Sequence, residues 1–261
     1  MQVFYWDKLS DFKNTKYFSQ GTGISVGCFD GLHLGHQFLL EHLISGCKKN
    51  NLFSGVISFL RPLPSLKHKD DYKGDITTLN QRLIYLEDFG IDFAIIVDFN
   101  DAFASIKGND FLSILMKECN MKFIAEGVDF RCGYKGTTDM AAISYFAKEN
   151  NLLTDFVEPV IYKEGSEYEE RVSSSFIRQM ILKGFFSTVK ELLKKPYTLD
   201  LSKLSFQKEK NGFSISCSQI LQIIPQKGIY HCKTPQNEDI RVEITSEKLI
   251  LSNPEQFLSF N

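Results

Sequence analysis

The sequence predicts an α/β protein in which a doubly wound parallel sheet is followed by a small antiparallel β module. Apolar strand-like runs alternate with amphipathic helical segments up to residue 184, a pattern typical of parallel strands joined by helices. The run Asp92–Phe99 is almost wholly apolar, as expected of a strand that is covered on both faces. Beyond residue 184, short alternating segments and polar turns indicate antiparallel strands.

The strands are assigned in chain order from apolar runs that are bounded by turn residues. In the parallel sheet we expect strands at Val3–Trp6, 24–26, Leu52–Phe59, Asp92–Phe99, Met121–Ala125 and Val157–Ile161. In the module we expect strands at Phe213–Ser218, Gly228–Cys232, Asp239–Ile244 and Lys248–Leu251.

The helices are assigned from apolar residues three or four apart and from capping residues at their ends. The first helix follows residue 36 and carries its buried face on Phe38, Leu39, Leu40, Leu43 and Ile44. The others are expected at Thr78–Phe89, Asn109–Cys119, Asp139–Asn150, Ser175–Lys183 and Phe186–Leu193. Thr77 or Thr78 is the candidate cap of the second helix.

Composition bounds the class of protein. A chain of 261 residues accommodates one well-buried domain and a smaller one, predicted as residues 1–184 and 185–261. The formal net charge of −2 argues against general attraction to nucleic acid or to an anionic membrane. Six scattered cysteines without a C-x-x-C pair, a charged N-terminal segment and the lack of any run of ~18 apolar residues predict a cytoplasmic protein.

The chemistry is expected in a glycine-rich break between the 24–26 strand and the first helix. Gly27, Gly31 and Gly35 interrupt the pattern there, and free backbone N–H groups with a helix N-terminus suit a phosphate. His33 and His36 stand in the same break and can add donors. Zinc would need further ligands, so no metal site is predicted among the protein side chains. We call residues 27–36 the phosphate turn.

Three motifs carry a resemblance to a known family. Gly27-Cys-Phe-Asp-Gly-Leu-His-Leu-Gly-His-Gln37 resembles the opening motif of the bacterial FAD synthetases, within the H-x-G-H nucleotidyltransferase superfamily. Gly127-Val-Asp-Phe-Arg-Cys-Gly133 is similar to their Gly-x-Asp-Phe-x-Phe-Gly loop, with Cys132 in place of phenylalanine. Arg171-Val-Ser-Ser-Ser-Phe-Ile-Arg178 resembles Arg-Val-Ser-Ser-Thr-x-Ile-Arg. Taken alone, the second motif reads as a glycine turn and the third as a helix cap.

A fourth stretch matches the family less well. Ser58-Phe-Leu-Arg-Pro-Leu-Pro64 lacks the family's acidic residue and differs in spacing, so no site role is assigned to it. The charged residues 65–76 that follow are expected to form a mobile loop over a site. After Tyr197 there is no Gly-x-Pro-Thr-x-Asn motif of the riboflavin kinase barrel that such enzymes usually carry. We therefore expect residues 185–261 to be a reduced kinase-like module without kinase activity.

The resemblance implies a Rossmann-like nucleotidyltransferase that transfers AMP from ATP to FMN, giving FAD and pyrophosphate. Mg²⁺ is implied as the companion of ATP, with few direct protein ligands. The catalytic residues implied are His33, His36, Ser174 and Arg178. The ATP-binding residues implied are Gly27, Cys28, Phe29, Asp30, Gly35, Arg171, Ser173, Ser175 and Ile177. The FMN-binding residues implied are Gly127, Asp129 and Phe130. Asp30 is expected to order the turn rather than to act as a base.

Three other functions stay open on the sequence. A related H-x-G-H nucleotidyltransferase could adenylylate a different phosphate, a bifunctional-type protein could retain riboflavin kinase activity, and a non-catalytic protein could only bind flavin. The paired histidines and Arg178 argue against pure binding. We expect ATP and FMN as the ligands and no obligate protein partner.

Overall fold

The computed structural model describes residues 1–62, 65, 72–210 and 212–260. The chain divides into two compact units. The first comprises Met1–Phe29, Gly35–Leu63 and Leu83–Val160, and the second comprises Asp30–Leu34, Pro64–Arg82 and Ile161–Asn261. Within the described ranges, no helix is long and apolar enough to cross a membrane.

The first unit is built on a six-stranded sheet in which every pair of neighbours is parallel. Its strands are β1 (Gln2–Tyr5), β2 (Thr22–Val26), β3 (Phe53–Phe59), β4 (Phe93–Val97), β5 (Met121–Gly127) and β6 (Leu153–Val157). Their order is β1-β4-β3-β2-β5-β6. After β2 the chain adds β3 and β4 on one side of that strand, and it then adds β5 and β6 on the other side. This reversal between β2 and β5 is the topological switch point, outside which parallel α/β sheets bind their ligands.

The helices of this unit follow the strands, as the predicted alternation requires. They are α1 (Lys16–Gln20), α2 (Leu34–Lys49), α3 (Leu79–Asp88), α4 (Asp101–Ala104), α5 (Gly108–Cys119) and α6 (Met140–Glu149). A 3₁₀ segment at Trp6–Asn14 connects β1 to α1. It forms because Leu9 and Phe12 bury themselves on one side of it. The predicted doubly wound α/β fold is confirmed.

Aromatic rings fill much of the first core. The rings of Phe4 and Phe12 meet at 4.9 Å, and Phe12 lies 4.9 Å from Phe93. All three side chains are buried. Aromatic pairs at this separation add to the free energy of burial, which explains part of the high phenylalanine content. Phe38, predicted on the buried face of α2, is instead exposed, and Leu40, Leu43 and Cys47 form that face.

The second unit contains a seven-stranded antiparallel sheet, which confirms the predicted β module. Its strands are β9 (Tyr197–Asp200), β10 (Gln207–Glu209), β11 (Gly212–Ser216), β12 (Gly228–Lys233), β13 (Asp239–Ile244), β14 (Lys248–Leu251) and β15 (Phe257–Phe260). Their order is β10-β11-β14-β13-β12-β15-β9. A two-stranded ladder, β7 (Ile161–Tyr162) with β8 (Glu170–Arg171), precedes helices α7 (Ser174–Leu182) and α8 (Phe186–Leu193). The rings of Phe186 and Phe260 stack at 4.8 Å in its core.

One strand prediction is wrong. The strand expected at Val157–Ile161 lies four residues earlier, at Leu153–Val157, and Pro159 stands beyond its end. The cause is its place at the sheet edge: Leu153 and Thr154 are exposed, so the strand lacks the apolar run used to find it. Strands β9, β10 and β15 were not predicted. The first unit ends at Val160, and the division into residues 1–184 and 185–261 stays a prediction.

Residues 66–71 of the loop predicted as mobile lie outside the described residues, as do Leu63 and Pro64 of the altered Ser58–Pro64 stretch. The end of that loop is described. Asp75 and Ile76 are buried, and Asp75 forms backbone hydrogen bonds with Leu221 and Ile223. Residues 75 and 76 are therefore held in the second unit rather than free over a site.

Candidate active site

The phosphate turn has an unusual backbone. Phe29 (φ 48°), Gly31 (φ 85°) and Leu32 (φ 44°) all adopt positive φ within four residues. Glycine accepts this conformation at little cost, whereas side chains of the other two resist it. Phe29 and Leu32 are buried, which offsets the local strain. Strain held in place by burial is typical of functional turns.

The first unit holds Gly27, Cys28, Phe29 and His36. The centroids of the Phe29 and His36 rings are 5.3 Å apart. The Phe29 ring also lies close to Gly27, because a Cβ added at Gly27 would be 3.1 Å from that ring. The Gly27 N–H donates to the Ile57 carbonyl at 3.0 Å, which continues the pairing of β2 with β3. His36 is the third residue of α2, after Gly35, and so belongs to the first helical turn, whose N–H groups lack helical acceptors.

The Gly127–Gly133 loop follows β5 directly, at the carboxyl end of the sheet. The Phe130 N–H donates to the Gly127 carbonyl at 2.9 Å and closes a tight turn. Asp129 at its tip is exposed, while Phe130 is half-buried and packs against the core. Cys132 is buried, so the residue that replaces the family's phenylalanine faces the protein interior.

In the second unit, the carboxyl of Asp30 is the centre of a buried hydrogen-bond network. It accepts the N–H of Ile76 at 3.0 Å and the N–H and hydroxyl of Thr77 at 2.9 Å each. The Thr77 hydroxyl in turn accepts the Gly31 N–H at 3.0 Å. Only 1% of Asp30 is exposed. The carboxyl thus fixes residues 76 and 77 against Asp30 and Gly31 of the turn.

Arg178, from the second turn of α7, completes this network. Its Nη2 forms an ion pair with Asp30 and also donates to the Tyr72 hydroxyl at 3.2 Å. Its Nε donates to the Gly74 carbonyl at 2.8 Å, and the guanidinium lies 5.0 Å from the centre of the Tyr72 ring. A planar guanidinium suits such a fork of contacts. Nη1 takes no part in them.

Opposing effects act on the charge of the Asp30 carboxyl. Burial raises its pKa above the ordinary value, whereas Arg178, the Ile76 and Thr77 N–H groups and Arg82 oppose that rise. Because the carboxyl accepts several donors and pairs with a guanidinium, we take it as ionised at neutral pH. An ionised acid saturated by donors cannot serve as a general base. The geometry supports the interpretation that Asp30 orders the turn.

His33 is neutral in the free protein. Burial and the positive charges of Arg178 and Arg171 lower its pKa from 6.5 to about 3. Only 5% of the residue is exposed. The imidazole therefore offers one N–H donor rather than a full positive charge before an anion arrives.

The start of α7 presents several of the predicted residues. Ser173 is the N-cap, and its hydroxyl accepts the Phe176 N–H at 3.1 Å. Ser174 donates its hydroxyl to the Asp30 carbonyl at 3.1 Å. Ser175 is exposed, and Ile177 is fully buried, as is Ile181 of the same helix. Arg171 is exposed at the end of β8.

The sequence did not reveal the partners of Asp30 and Arg178. Tyr72, Gly74, Ile76 and Thr77 lie in or beside a stretch that was read as a mobile loop or a helix cap. Thr78 is the residue that caps α3, because Thr78 and Gln81 bond each other's backbone N–H as a capping box. Because Thr78 caps the helix, the Thr77 hydroxyl is available to donate to Asp30. The Thr-Thr-x-x-Gln spacing was a readable signal for this assignment.

A protein-held metal centre does not emerge from the described residues. Among residues 1–62, 65, 72–210 and 212–260, no group of three or more His, Cys, Asp or Glu side chains could hold a metal ion. In the first unit the candidate donors are backbone N–H groups and the His36 imidazole, and in the second unit they are hydroxyls, the His33 imidazole and the guanidinium groups of Arg171 and Arg178. Such donors bind phosphate oxygens and stabilise charge that develops on them.

Comparisons with known proteins agree with this chemistry. The model of the FAD synthetase family matches residues 15–176. A bifunctional riboflavin kinase/FMN adenylyltransferase of Buchnera aphidicola subsp. Schizaphis graminum is 30% identical over 225 residues, which cover 84% of this chain and 70% of the relative. An FAD synthetase of Listeria monocytogenes is 26% identical over 179 residues, covering 69% of this chain and 71% of the relative.

A solved structure supports the fold. A crystal structure described as a macrolide-efflux protein from Streptococcus pneumoniae superposes with a TM-score of 0.77 and 18% identity. The match covers 100% of this chain and 90% of the other. At this identity the likeness shows the fold alone.

Proposed function

The chain belongs to the FAD synthetase family, and from this premise we propose that it is a single-activity FMN adenylyltransferase. It joins AMP from ATP to the phosphate of FMN and releases FAD and pyrophosphate. The observation that carries the proposal is the family match over residues 15–176, which includes the phosphate turn and the Gly127–Gly133 loop.

The transfer proceeds in one displacement at the α-phosphorus of ATP. A phosphate oxygen of FMN attacks that phosphorus, a new P–O bond forms, and the bond to the oxygen of the β-phosphate breaks on the opposite side. The electron pair leaves with pyrophosphate. No covalent enzyme intermediate is needed, because phosphoryl-type transfer depends chiefly on positioning and on neutralising charge.

We assign the phosphates of ATP to donors of the phosphate turn and of the start of α7. His33 and His36 donate to phosphate oxygens and stabilise charge on the departing pyrophosphate. An anion beside the neutral His33 raises the pKa of that imidazole, so binding favours its charged form. Ser174, Ser175 and Arg178 bind the β- and γ-phosphates, with Nη1 as the guanidinium nitrogen outside the Asp30 network. Arg171 and the Ser173 cap support this role.

The remaining predicted residues shape the ligand surfaces. Gly27, Cys28, Phe29 and Gly35 let backbone approach the nucleotide, and Asp30 holds the turn. Ile177 acts through packing, since its side chain is fully buried. Gly127, Asp129 and Phe130 are assigned to the flavin, with the exposed Asp129 carboxylate as a hydrogen-bond acceptor.

Magnesium enters with the substrate. We propose that ATP would be taken as its Mg²⁺ complex, and the metal would supply charge neutralisation at the phosphates with few direct protein ligands. The described part of the chain fits this arrangement, because its site residues are donors for phosphate rather than a cage of carboxylates. We further propose that the C-terminal module does not phosphorylate riboflavin, since residues 198–261 lack the kinase motif.

The test separates the two transfers by the fate of the label. The whole chain is incubated with Mg²⁺ and ATP labelled at the α- or the γ-phosphate, with either FMN or riboflavin. We expect the α-label in FAD when FMN is supplied, and the γ-label in pyrophosphate alone. Failure to form FAD from FMN contradicts the adenylyltransferase assignment. Transfer of the γ-label to riboflavin contradicts only the single-activity claim.

A further inference from the structure

A buried acid that the proposed mechanism does not use lies at the switch point of the parallel sheet. Glu126 is the sixth residue of β5, directly before the Gly127–Gly133 loop, and only 1% of it is exposed. Its Oε1 accepts the backbone N–H of Val26 at 2.6 Å. Val26 is the last residue of β2, and Gly27 follows it as the first residue of the phosphate turn.

The two strands separate at this position. The pairing of β2 with β5 ends at Ile24 and Ile124, whereas β2 stays paired with β3 as far as Val26 and Ile57. Strand β5 likewise stays paired with β6 as far as Gly127. Beyond Ile24, therefore, the backbone of β2 loses its acceptor on one side only. The Glu126 side chain supplies that acceptor to Val26.

We propose that Glu126 is a positioning residue for ATP binding: its carboxyl replaces the missing backbone partner of Val26 and so fixes the direction in which Gly27 and Cys28 leave the sheet. A buried backbone N–H without an acceptor is costly, so without this contact the end of β2 shifts to find another partner. A small shift there displaces every N–H group that the turn presents to a phosphate.

The charge state of Glu126 suits this position. Burial raises its pKa well above the ordinary value, and the Val26 N–H opposes the rise only in part. Among the described residues, the titratable group that interacts with it is the Cys132 thiol, whose own pKa burial and Glu126 raise to about 12. A neutral acid keeps one oxygen as an acceptor for Val26 without placing a negative charge where anionic phosphates bind. Its ionisation at high pH would weaken ATP binding through repulsion.

Three variants test this inference, which rests on the proposed adenylyltransferase reaction. Glu126→Gln keeps the acceptor oxygen and is neutral at every pH. Glu126→Met has a similar length but no acceptor for Val26. Ile124→Ala removes buried packing from the same strand and serves as the control for lost stability alone. FAD formation by the unmodified chain in the same assay establishes the reaction itself, so its failure is distinguishable from failure of this inference.

We expect Glu126→Met to change the KM for ATP and Ile124→Ala to change only the stability. Glu126→Met raises the KM for ATP at least ~10-fold, the scale of one unsatisfied buried donor, and raises the KM for FMN less. Ile124→Ala lowers Tm and leaves the KM for ATP unchanged. Glu126→Gln restores the KM for ATP at neutral pH and abolishes its rise at alkaline pH. An unchanged KM for ATP in the folded Met variant, or a rise equal to that of Ile124→Ala, would overturn the inference.

A measurement without turnover covers the case in which the Met variant does not fold. A buried acid whose pKa is raised makes the native state less stable as pH increases above the unfolded value near 4.5, because only the unfolded state gains the charge. The Tm of Glu126→Gln minus that of the unmodified chain should therefore increase as pH rises from 5 to 8. A constant difference in Tm would contradict a neutral Glu126 and the alkaline rise in the KM for ATP that follows from it.

Discussion

Removing the charge of Asp30 is the perturbation that most directly probes the buried network. In Asp30→Asn the amide oxygen can still accept the N–H groups of Ile76 and Thr77, but its amide group faces the Arg178 guanidinium. Arg178 then lacks its counter-charge, and only 11% of its side chain is exposed. Breaking a buried pair by removing one partner costs about 3–5 kcal/mol, because an uncompensated charge is left behind. We expect that loss in the free energy of unfolding.

A double-mutant cycle separates this loss from the general effect of substitution. Arg178→Met removes the guanidinium and keeps the length of the chain, and the double variant removes both charges. If the pair is coupled, the double variant is more stable than the sum of the single losses predicts, by about 2 kcal/mol or more.

Urea unfolding followed by far-UV circular dichroism measures these free energies. The single tryptophan, Trp6, lies in the first unit, so its fluorescence is not a direct probe of a network in the second. Hydrogen exchange of residues 72–82 supplies a local readout for the same variants. Losses that add to within about 0.5 kcal/mol would refute the claim that Asp30 and Arg178 act as a pair.

Three further predictions follow from the same geometry. The contribution of His33 to the free energy of unfolding is complete above pH 6.5 and decreases as pH falls towards 3, since only the unfolded chain takes up the proton. We expect the free energy of unfolding to fall by about 1.4 kcal/mol between pH 7.5 and 5.5 for this reason, and this pH-dependent loss to be absent in His33→Gln. His36→Ala should lower turnover about 10²-fold with an unchanged circular dichroism spectrum. His42→Ala, at a half-buried position of the same helix where the ring contacts Asp155, should retain turnover, and equal rates in both variants would contradict the role of His36. Gly74→Ala should lower the free energy of unfolding by about 2–4 kcal/mol, because the residue has a positive φ and an added Cβ would lie 2.6 Å from a backbone nitrogen. Gly165→Ala, which also has a positive φ but open space around it, should lower it by about 1 kcal/mol. Similar losses in the two variants would show that crowding plays no part at Gly74.

The order of strands and helices was predictable because it depends on local hydrophobic periods. Helix α8 and strands β13 and β14 have the bounds that their patterns indicated. Strand β6 was misplaced because an edge strand does not need the apolar run of a central one. Short strands such as β10, with exposed polar residues at Gln207 and Lys208, give no local signal at all. Their pairing is decided by neighbours that are distant in the chain.

The candidate site was predictable as far as its motifs extended. His33, Ser174 and Arg178 stood out because their spacing resembles a known family. The pairing of Asp30 with Thr77 and Arg178 was not predictable, since Thr77 is 47 residues away and Arg178 is 148 residues away in the chain. Glu126 was missed for a similar reason: its importance comes from the separation of β2 and β5, and this separation is a property of the sheet rather than of the residues around it.

The stereochemical course at phosphorus tests the central claim most directly, namely that FMN attacks ATP in a single displacement arranged by positioning. The whole chain is supplied with FMN and one diastereomer of ATP that carries sulfur on the α-phosphorus. The configuration of the thio-substituted FAD is then assigned by phosphorus NMR. One in-line displacement predicts inversion at that phosphorus. Retention would require two displacements through a covalent enzyme intermediate and would contradict the mechanism.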